Sequence, residues 1–312
     1  MRLVHFASLC VLLVACGDQP QVAGDGGDGG AADVASQGDV VAEVSAAEAG
    51  PSVVVRLMAG NLSSGSSQTY DPGEGIRIFQ GLVPDVAMIQ EFNYGTDSTT
   101  DIRTFVDTAF GTQFSYVRGP GTQIPNGVIS RFPILASGDW TDPQVANRDF
   151  VWARIDVPGP HDLWAVSVHL LTTGATARNA EATALVGVIQ QNVPQGDFLV
   201  VAGDFNTASR AEPCVATMSQ IALASGPYPA DQAANENTNA TRAYPYDWVL
   251  ASPALDALAV PVVIGSSSFA HGLVFDSRVY TPLTDVPPVL QTDSAATNMQ
   301  HMGVVRDFAL PQ

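Results

Sequence analysis

The chain has 312 residues, with 31 acidic side chains against 13 basic ones and a net charge of −18. It contains no lysine, and its arginines are scattered rather than clustered. That excludes the basic footprint of a tight nucleic-acid binder, but not an enzyme that holds phosphate through a metal and a few arginines.

The amino end is not globular in character. Met1–Ala15 carries Arg2 and a short apolar run, too short to span a bilayer and suited to a secretory signal. It ends Leu13-Val14-Ala15-Cys16, which resembles the lipobox of bacterial lipoproteins. The resemblance implies cleavage before Cys16, lipid on its sulfur, and an exported protein held at a membrane facing the periplasm or cell surface. Residues 16–50 read as a tether rich in Gly, Ala, Asp and Ser without an aromatic residue. Such a segment buries too little apolar surface to offset its ordering entropy. As a flexible coil it reaches on the order of 30 Å. Cys10 leaves with the signal and Cys16 carries lipid, so Cys214 stands alone. Nothing near it in sequence activates it as a nucleophile.

The folded part, 51–312, alternates apolar strands with helical stretches. Pro51–Leu62 reads as a strand with Val53, Val55, Leu57, Ala59 and Asn61 on one face. Residues 76–82 suit a short helix. Residues 84–92 give the next strand, in which Ala87, Ile89 and Glu91 share a face. A Glu in line with a core face needs a cation or an Arg partner. Residues 101–111 suit a helix and 126–133 a strand and turn. Residues 151–157 and 163–170 form a strand pair, the second placing Ala165, Ser167 and His169 together. A helix follows over 175–192, with Leu185, Val188 and Ile189 buried.

Phe198–Asn206 is an unbroken apolar run that stops at Gly203 and delivers Asp204 and Asn206 to one side at a strand's mouth. Strand mouths are where α/β proteins place chemistry. Residues 207–243 are loop-rich, and 244–250 form a strand with Asp247 in line with Val249 and Ala251. Residues 260–285 are rich in Ser, Gly and Pro and include His271 and Asp276, which receive no role. Residues 298–308 read as a last strand opening on His301.

Asn61, Gln90-Glu91, Ser167-Val168-His169, Gly203-Asp204-Phe205-Asn206, Tyr246-Asp247-Trp248 and His301 occur in an order that resembles the endonuclease/exonuclease/phosphatase superfamily, the deoxyribonuclease-I-like proteins. The resemblance spans about residues 53–308. It implies a four-layer α/β/β/α sandwich of two mixed β-sheets flanked by helices. It also implies hydrolysis of phosphoester bonds with Mg²⁺, or Mn²⁺ or Ca²⁺ in its place, on a nucleic acid or a phospholipid headgroup. No protein partner is implied. Residue by residue, Glu91 becomes a metal ligand with Asn61 beside it. Asp204 and Asn206 hold phosphate and orient the attacking water. Asp247 steers His301, the general base, and His169 contacts phosphate or protonates the leaving oxygen. One position departs from the pattern. Gln300 stands where the family has an Asp near the metal, so this position is expected to ligate more weakly, and it supports a non-catalytic binding protein as a competing reading. A lipid phosphodiesterase or phosphatase is the other competitor.

The lipobox predicts a mature protein that begins at Cys16 and partitions with membranes. Cys16→Ser is expected to release it or block its processing. Palmitate labelling of the wild type in a bacterial host checks this, and absence of label rejects it.

Overall fold

The computed structural model describes residues 50–120 and 123–312; the lipobox, Cys16 and nearly all of the tether lie outside the described residues. Strand β1 (Ser52–Gly60) opens the fold and helix α1 (Glu74–Leu82) follows. Next come β2 (Val86–Ile89), α2 (Thr99–Ala109), β3 (Ser115–Arg118) and β4 (Gly127–Ser130). The second half holds β5 (Ile134–Trp140), β6 (Phe150–Ile155), β7 (Leu163–His169), α3 (Ala175–Asn192), β8 (Phe198–Asp204), α4 (Pro213–Met218), β9 (Asp247–Ala251) and α5 (Pro253–Asp256). Short strands β10 (Ala259–Val260), β11 (Val262–Ile264), β12 (Ser267–Phe269) and β13 (Leu273–Phe275) lead to β14 (Gly303–Pro311).

Two mixed sheets result. One runs β10-β14-β1-β2-β4-β3, with β13 also paired to β14, and the other runs β5-β6-β7-β8-β9. In the first, β1 and β2 are parallel; in the second, β7 and β8 are parallel. The remaining neighbours are antiparallel.

The period of two along each strand sorts side chains into three apolar layers. Val55, Leu57, Ala59, Val86, Met88, Ala165, Val200 and Ala202 fill the space between the sheets. Met58, Ala87 and Ile89 pack outward against Phe79 of α1 and Phe105 of α2. Trp164, Val166, Val168, Leu199 and Val201 pack outward against Leu185 and Ile189 of α3 and Met218 of α4. Helix, sheet, sheet and helix thus stack as the four-layer sandwich expected from the sequence. Helix α3 occupies its expected span, and helix α2 begins earlier because Ser98 caps it, accepting from the Asp101 amide.

The segment with least sequence signal holds more structure than its composition suggests. Residues 260–285 contain the hairpin β11–β12 and the added strand β13. Asp276 accepts from both Arg242 and Arg278, so its role is to pin this segment to the 231–242 loop.

The two sheets are stitched near their strand mouths. Gln90 Nε2 donates to Ser167 Oγ at 2.9 Å, and Ser167 Oγ donates to the Ile89 carbonyl at 2.9 Å. Gly203 sits beside this stitch at φ 138°, and a Cβ there would collide with the Val168 carbonyl oxygen and the Gln90 amide. Gly203→Ala is therefore expected to destabilise by about 1–3 kcal/mol, the range for overpacking. A thermal melt lowered by several degrees would bear this out; an unchanged melt would mean that the backbone there is not constrained.

Candidate active site

The parallel pair β7–β8 and the edge strand β9 end in register, with His169 opposite Asp204 and Asp204 opposite Asp247. All three side chains therefore leave one end of one sheet. From the facing sheet, β1 runs on into Asn61 and β2 into Gln90 and Glu91. Tyr70 ties these two exits together. Its buried hydroxyl accepts from the Leu62 amide and lies 3.0 Å from the carbonyls of Gly60 and Gln90.

Glu91 does not arrive by simple alternation. Ala87 and Ile89, its partners by period, face the outer helices. The left-handed backbone of Glu91, φ 52°, turns its side chain into the site instead. Asn206 uses the same device at φ 51°. Its amide donates to Asp204 Oδ1 at 2.8 Å, and its side-chain nitrogen lies 3.0 Å from Asp204 Oδ2 and 2.9 Å from the Leu170 carbonyl.

Asn61 is the hub between the sheets. Its Nδ2 lies 3.2 Å from Asp204 Oδ2, 3.4 Å from Glu91 Oε1 and 3.3 Å from His301 Nε2. Glu91 also accepts from Gln68 Nε2 at 2.8 Å and from the Ser63 hydroxyl. It takes no arginine partner within the described residues, so only neutral donors meet this buried carboxylate. His301 Nδ1 donates to Asp247 Oδ2 at 3.0 Å. His301 precedes β14 rather than opening it, and bridges to Asn239 in the 207–243 segment. In the same segment Thr238 Oγ1 accepts from the Asp247 amide, and its carbonyl accepts from the Met302 amide.

Gln300 is not brought in with the others. His301 is buried while Gln300 is exposed on the opposite side of the chain, and Ala240 donates to its backbone oxygen. Alternation along an extended segment sends neighbouring side chains in opposite directions, so the expectation of a metal ligand at 300 is not met. Among the described residues, Gln300 makes no side-chain hydrogen bond to Asn61, Glu91 or Asp204.

Sequence reasoning missed Arg148, on the loop between β5 and β6. It is buried, and its Nη1 donates to His169 Nε2 at 2.9 Å. Among the described residues it is the arginine without a carboxylate within salt-bridge distance, while all the others have one. Burial weakens its hold on its proton, and Asp204, Glu181, Asp142 and Glu91 counter this. The signal available in the sequence was a lone Arg just before an apolar strand, which is too common to single out.

Burial sets the titration of the cluster. It pushes Asp204 up to about 7, with His301 opposing and Asp247 adding. His301 is driven down by burial, but the carboxylates of Asp247 and Asp204 outweigh this and carry it up to about 10. His169 is held well below the ordinary histidine value by burial, then by Arg148 and His301. Because Arg148 donates to its Nε2, His169 is neutral with its proton on Nδ1, and that atom has no partner. Elsewhere, Cys214 is buried in α4 and burial pushes its thiol up to about 11, which leaves it unreactive.

With this geometry in hand, the comparisons with known proteins are specific. Residues 61–270, more than half of the chain, match the model of the Endonuclease/Exonuclease/phosphatase family, and the chain belongs to that family. An endonuclease/exonuclease/phosphatase from Bacteroides vulgatus is similar at TM-score 0.55 and 17% identity, over 83% of this chain and 99% of that one. Truncated TDP2 of Caenorhabditis elegans is similar at TM-score 0.51 and 14% identity, over 82% and 97%. The mannosyl-6-phosphatase of Bacteroides thetaiotaomicron is similar at TM-score 0.52 and 14% identity, over 81% and 98%. No curated protein matches the chain.

The family implies a divalent ion, and the residues present fit one. Asp204, Asp247 and His301 can each offer an atom to a single cation, those atoms lying within 4.8 Å of one another. Within that trio, however, His301 and Asp247 are already bonded to each other. The hard oxygen donors beside them are Glu91, Asp204 and Asn61 Oδ1, which is buried and has no hydrogen-bond partner.

Asp204 and His301 both bind protons more tightly in the folded protein. A raised value gives stability that is present at low pH and lost as pH climbs from the unfolded value to the folded one. For Asp204 the window runs from 3.8 to about 7, and for His301 from 6.5 to about 10. The melting temperature of EDTA-treated protein is therefore expected to fall from pH 5 to pH 9, and Asp247→Asn should flatten the upper part of that fall. A melt that rises over this range would contradict the charge arrangement.

Proposed function

We propose that this protein is an exported, lipid-anchored, divalent-ion-dependent phosphodiesterase. The observation that carries the reading is the convergence on buried Asp204 of Asn61, Asn206, His169 and His301, with Glu91 and Asp247 alongside. Six strand ends and turns contribute to this one point, at the mouths of two facing sheets.

Each residue then has a task. Arg148, with no carboxylate partner, and the Nδ1–H of His169 offer donors to the non-bridging oxygens of a phosphoester. His301, protonated and fixed by Asp247, adds a positive charge where negative charge develops. Asp204, titrating near neutrality, is the group suited to take a proton from the attacking water. This exchanges the roles assigned from the motif order, in which His301 was the base. Asn206 orients Asp204 through both carboxylate oxygens. An ion held by Glu91 and Asn61 would neutralise phosphate charge and make the bound water more acidic.

A second reading, a phosphatase or lipid phosphodiesterase acting on a small or membrane-borne phosphate, has its own support. With no lysine and a net charge of −18, little of the surface attracts a long polyanion.

An assay panel of plasmid DNA, RNA, bis-p-nitrophenyl phosphate, p-nitrophenyl phosphate and sphingomyelin separates these readings. Hydrolysis is expected to vanish with EDTA and return with Mg²⁺ or Mn²⁺. Asp204→Asn and His301→Ala are each expected to lower kcat by on the order of 10²-fold or more. Arg148→Ala should raise KM more than it lowers kcat. The rate should rise with pH as Asp204 loses its proton and fall as His301 loses its own, a bound cation moving both limbs below the metal-free values of about 7 and about 10. Full activity of Asp204→Asn, or turnover of none of the five substrates, would reject the proposal.

A further inference from the structure

Two tyrosines beside the buried cluster have no part in the steps assigned above. Tyr244 and Tyr246 lie two residues apart in the segment that leads into β9. Their rings are stacked, with planes 10° apart and centroids at 6.0 Å. The Tyr246 ring lies in turn 5.7 Å from the His301 ring. His301 is buried, Tyr246 is half-buried and Tyr244 is 44% exposed. The three rings therefore step outward from the cluster to the surface and end on an exposed aromatic ring.

Backbone bonds fix this platform to the groups of the site. Asn239, which bridges to His301, accepts from the Tyr244 amide at 2.9 Å through its side-chain oxygen, and its own amide donates to the Tyr244 carbonyl at 3.1 Å. Thr238, which holds the Asp247 amide, donates to the same carbonyl at 2.9 Å. The Tyr246 carbonyl accepts from the Phe205 amide at 2.7 Å, between Asp204 and Asn206. Pro245 separates the two tyrosines and has a locked φ. Neither tyrosine belongs to the three apolar layers that hold the sandwich together. Rings held in place before a ligand arrives lose little freedom when it packs on them.

The surrounding charges narrow what can pack there. Burial, then the Asp204 carboxylate, make the Tyr246 hydroxyl hold its proton more tightly than usual, with Arg178 opposing. Arg178 is itself taken by Glu212, and Arg242, two residues before Tyr244, is taken by Asp231 and Asp276. A second phosphate or a carboxylate on the platform would thus meet negative charge and no free cation. A flat neutral group meets parallel aromatic rings, which favour offset stacking. We infer that Tyr244 and Tyr246 form the subsite for the organic part of the substrate, and that this part is a flat, uncharged aromatic group, a nucleobase or an aryl ring, carried by a single phosphate. This rests on the phosphoesterase reading and names the substrate class within it.

The test uses phosphonates, whose carbon–phosphorus bond is not a phosphoester, as probes in titration calorimetry on the Mg²⁺-loaded protein. The probes are methylphosphonate, cyclohexylphosphonate, phenylphosphonate and an adenine phosphonate with a short ether spacer. At least one of the two aromatic probes is expected to bind about tenfold more tightly than methylphosphonate, within the range that base–aromatic stacking supplies. The aromatic probe with the larger gain identifies the group as a nucleobase or an aryl ring. Cyclohexylphosphonate matches the phenyl ring in size without its flat face, and is expected to fall well short of that gain. Tyr244→Ala and Tyr246→Ala should each shrink the aromatic gain, while Tyr244→Phe and Tyr246→Phe keep it. Tyr246→Leu covers the case in which Tyr246→Ala does not fold. Cyclohexylphosphonate binding as tightly as the aromatic probes, an aromatic gain that survives loss of both rings, or no gain over methylphosphonate would each overturn the inference. Methylphosphonate binding without an aromatic gain rejects this inference alone; binding of none of the four rejects the phosphoester site with it.

Discussion

Burial of the Asp204 carboxylate is the constraint on which the site depends. An ionised carboxylate taken out of water must be surrounded by donors and charges, or it takes a proton instead. Here the donors come from several sides: the Asn206 amide and side chain on its own chain segment, Asn61 from the facing sheet, and the protonated His301, whose Nε2 lies 3.5 Å away. No single sheet could supply all of these groups. The parallel pair β7–β8 sets His169 beside Asp204, β9 adds Asp247, and the other sheet must close from the opposite face to bring Asn61. The apolar layer between the sheets therefore does more than stabilise the fold. Val55, Leu57 and Ala59 on β1 face β8 and β9 across this layer, and this fixes the distance across which Asn61 reaches.

Much of this was legible in the chain. Strands that alternate cleanly, such as β7 and β8, placed Ala165, Ser167 and His169 on one face and delivered Asp204 at a strand mouth. The structure keeps both. The reading weakened wherever the backbone leaves the extended region. Glu91 reaches the site because its φ is positive, which no hydrophobic period can announce. Gln300 shows the converse. Its place beside His301 in the motif suggested a shared role, while the period of two sends it to the other side. Thr238 and Asn239 were hidden for another reason: they hold Asp247 and His301 from a loop with no periodicity. Arg148 was hidden because its meaning lies in what it lacks, a carboxylate partner, and pairing is a three-dimensional property.

The arginine pairing has a wider consequence. A chain with a net charge of −18 and no lysine has few cations to spend on anything but its own carboxylates. Eleven of the described arginines do so, including the bidentate grip of Arg178 on Glu212 and of Arg278 on Asp276. Arg148 is held instead against a neutral histidine, buried, and close enough to Asp204, Glu181 and Asp142 to remain charged. An unpaired buried cation is costly, and it persists only where the surroundings impose it. Placed beside an acidic cluster, it gives the site a positive side next to a negative one. A phosphoester has the same division: anionic oxygens on one side, and on the other a phosphorus that must meet a deprotonated nucleophile.

That division also explains how three titratable groups can share a few ångströms without collapsing into one protonation state. Asp247 gives His301 its proton affinity, His301 limits how far burial raises Asp204, and burial together with Arg148 keeps His169 neutral. Removing any one member shifts the rest, so the cluster behaves as a unit rather than as separate residues. Asp247 occupies an unusual position in that unit. It is the member farthest from Arg148 in the chain of contacts, and it is the carboxylate that sets the charge of His301.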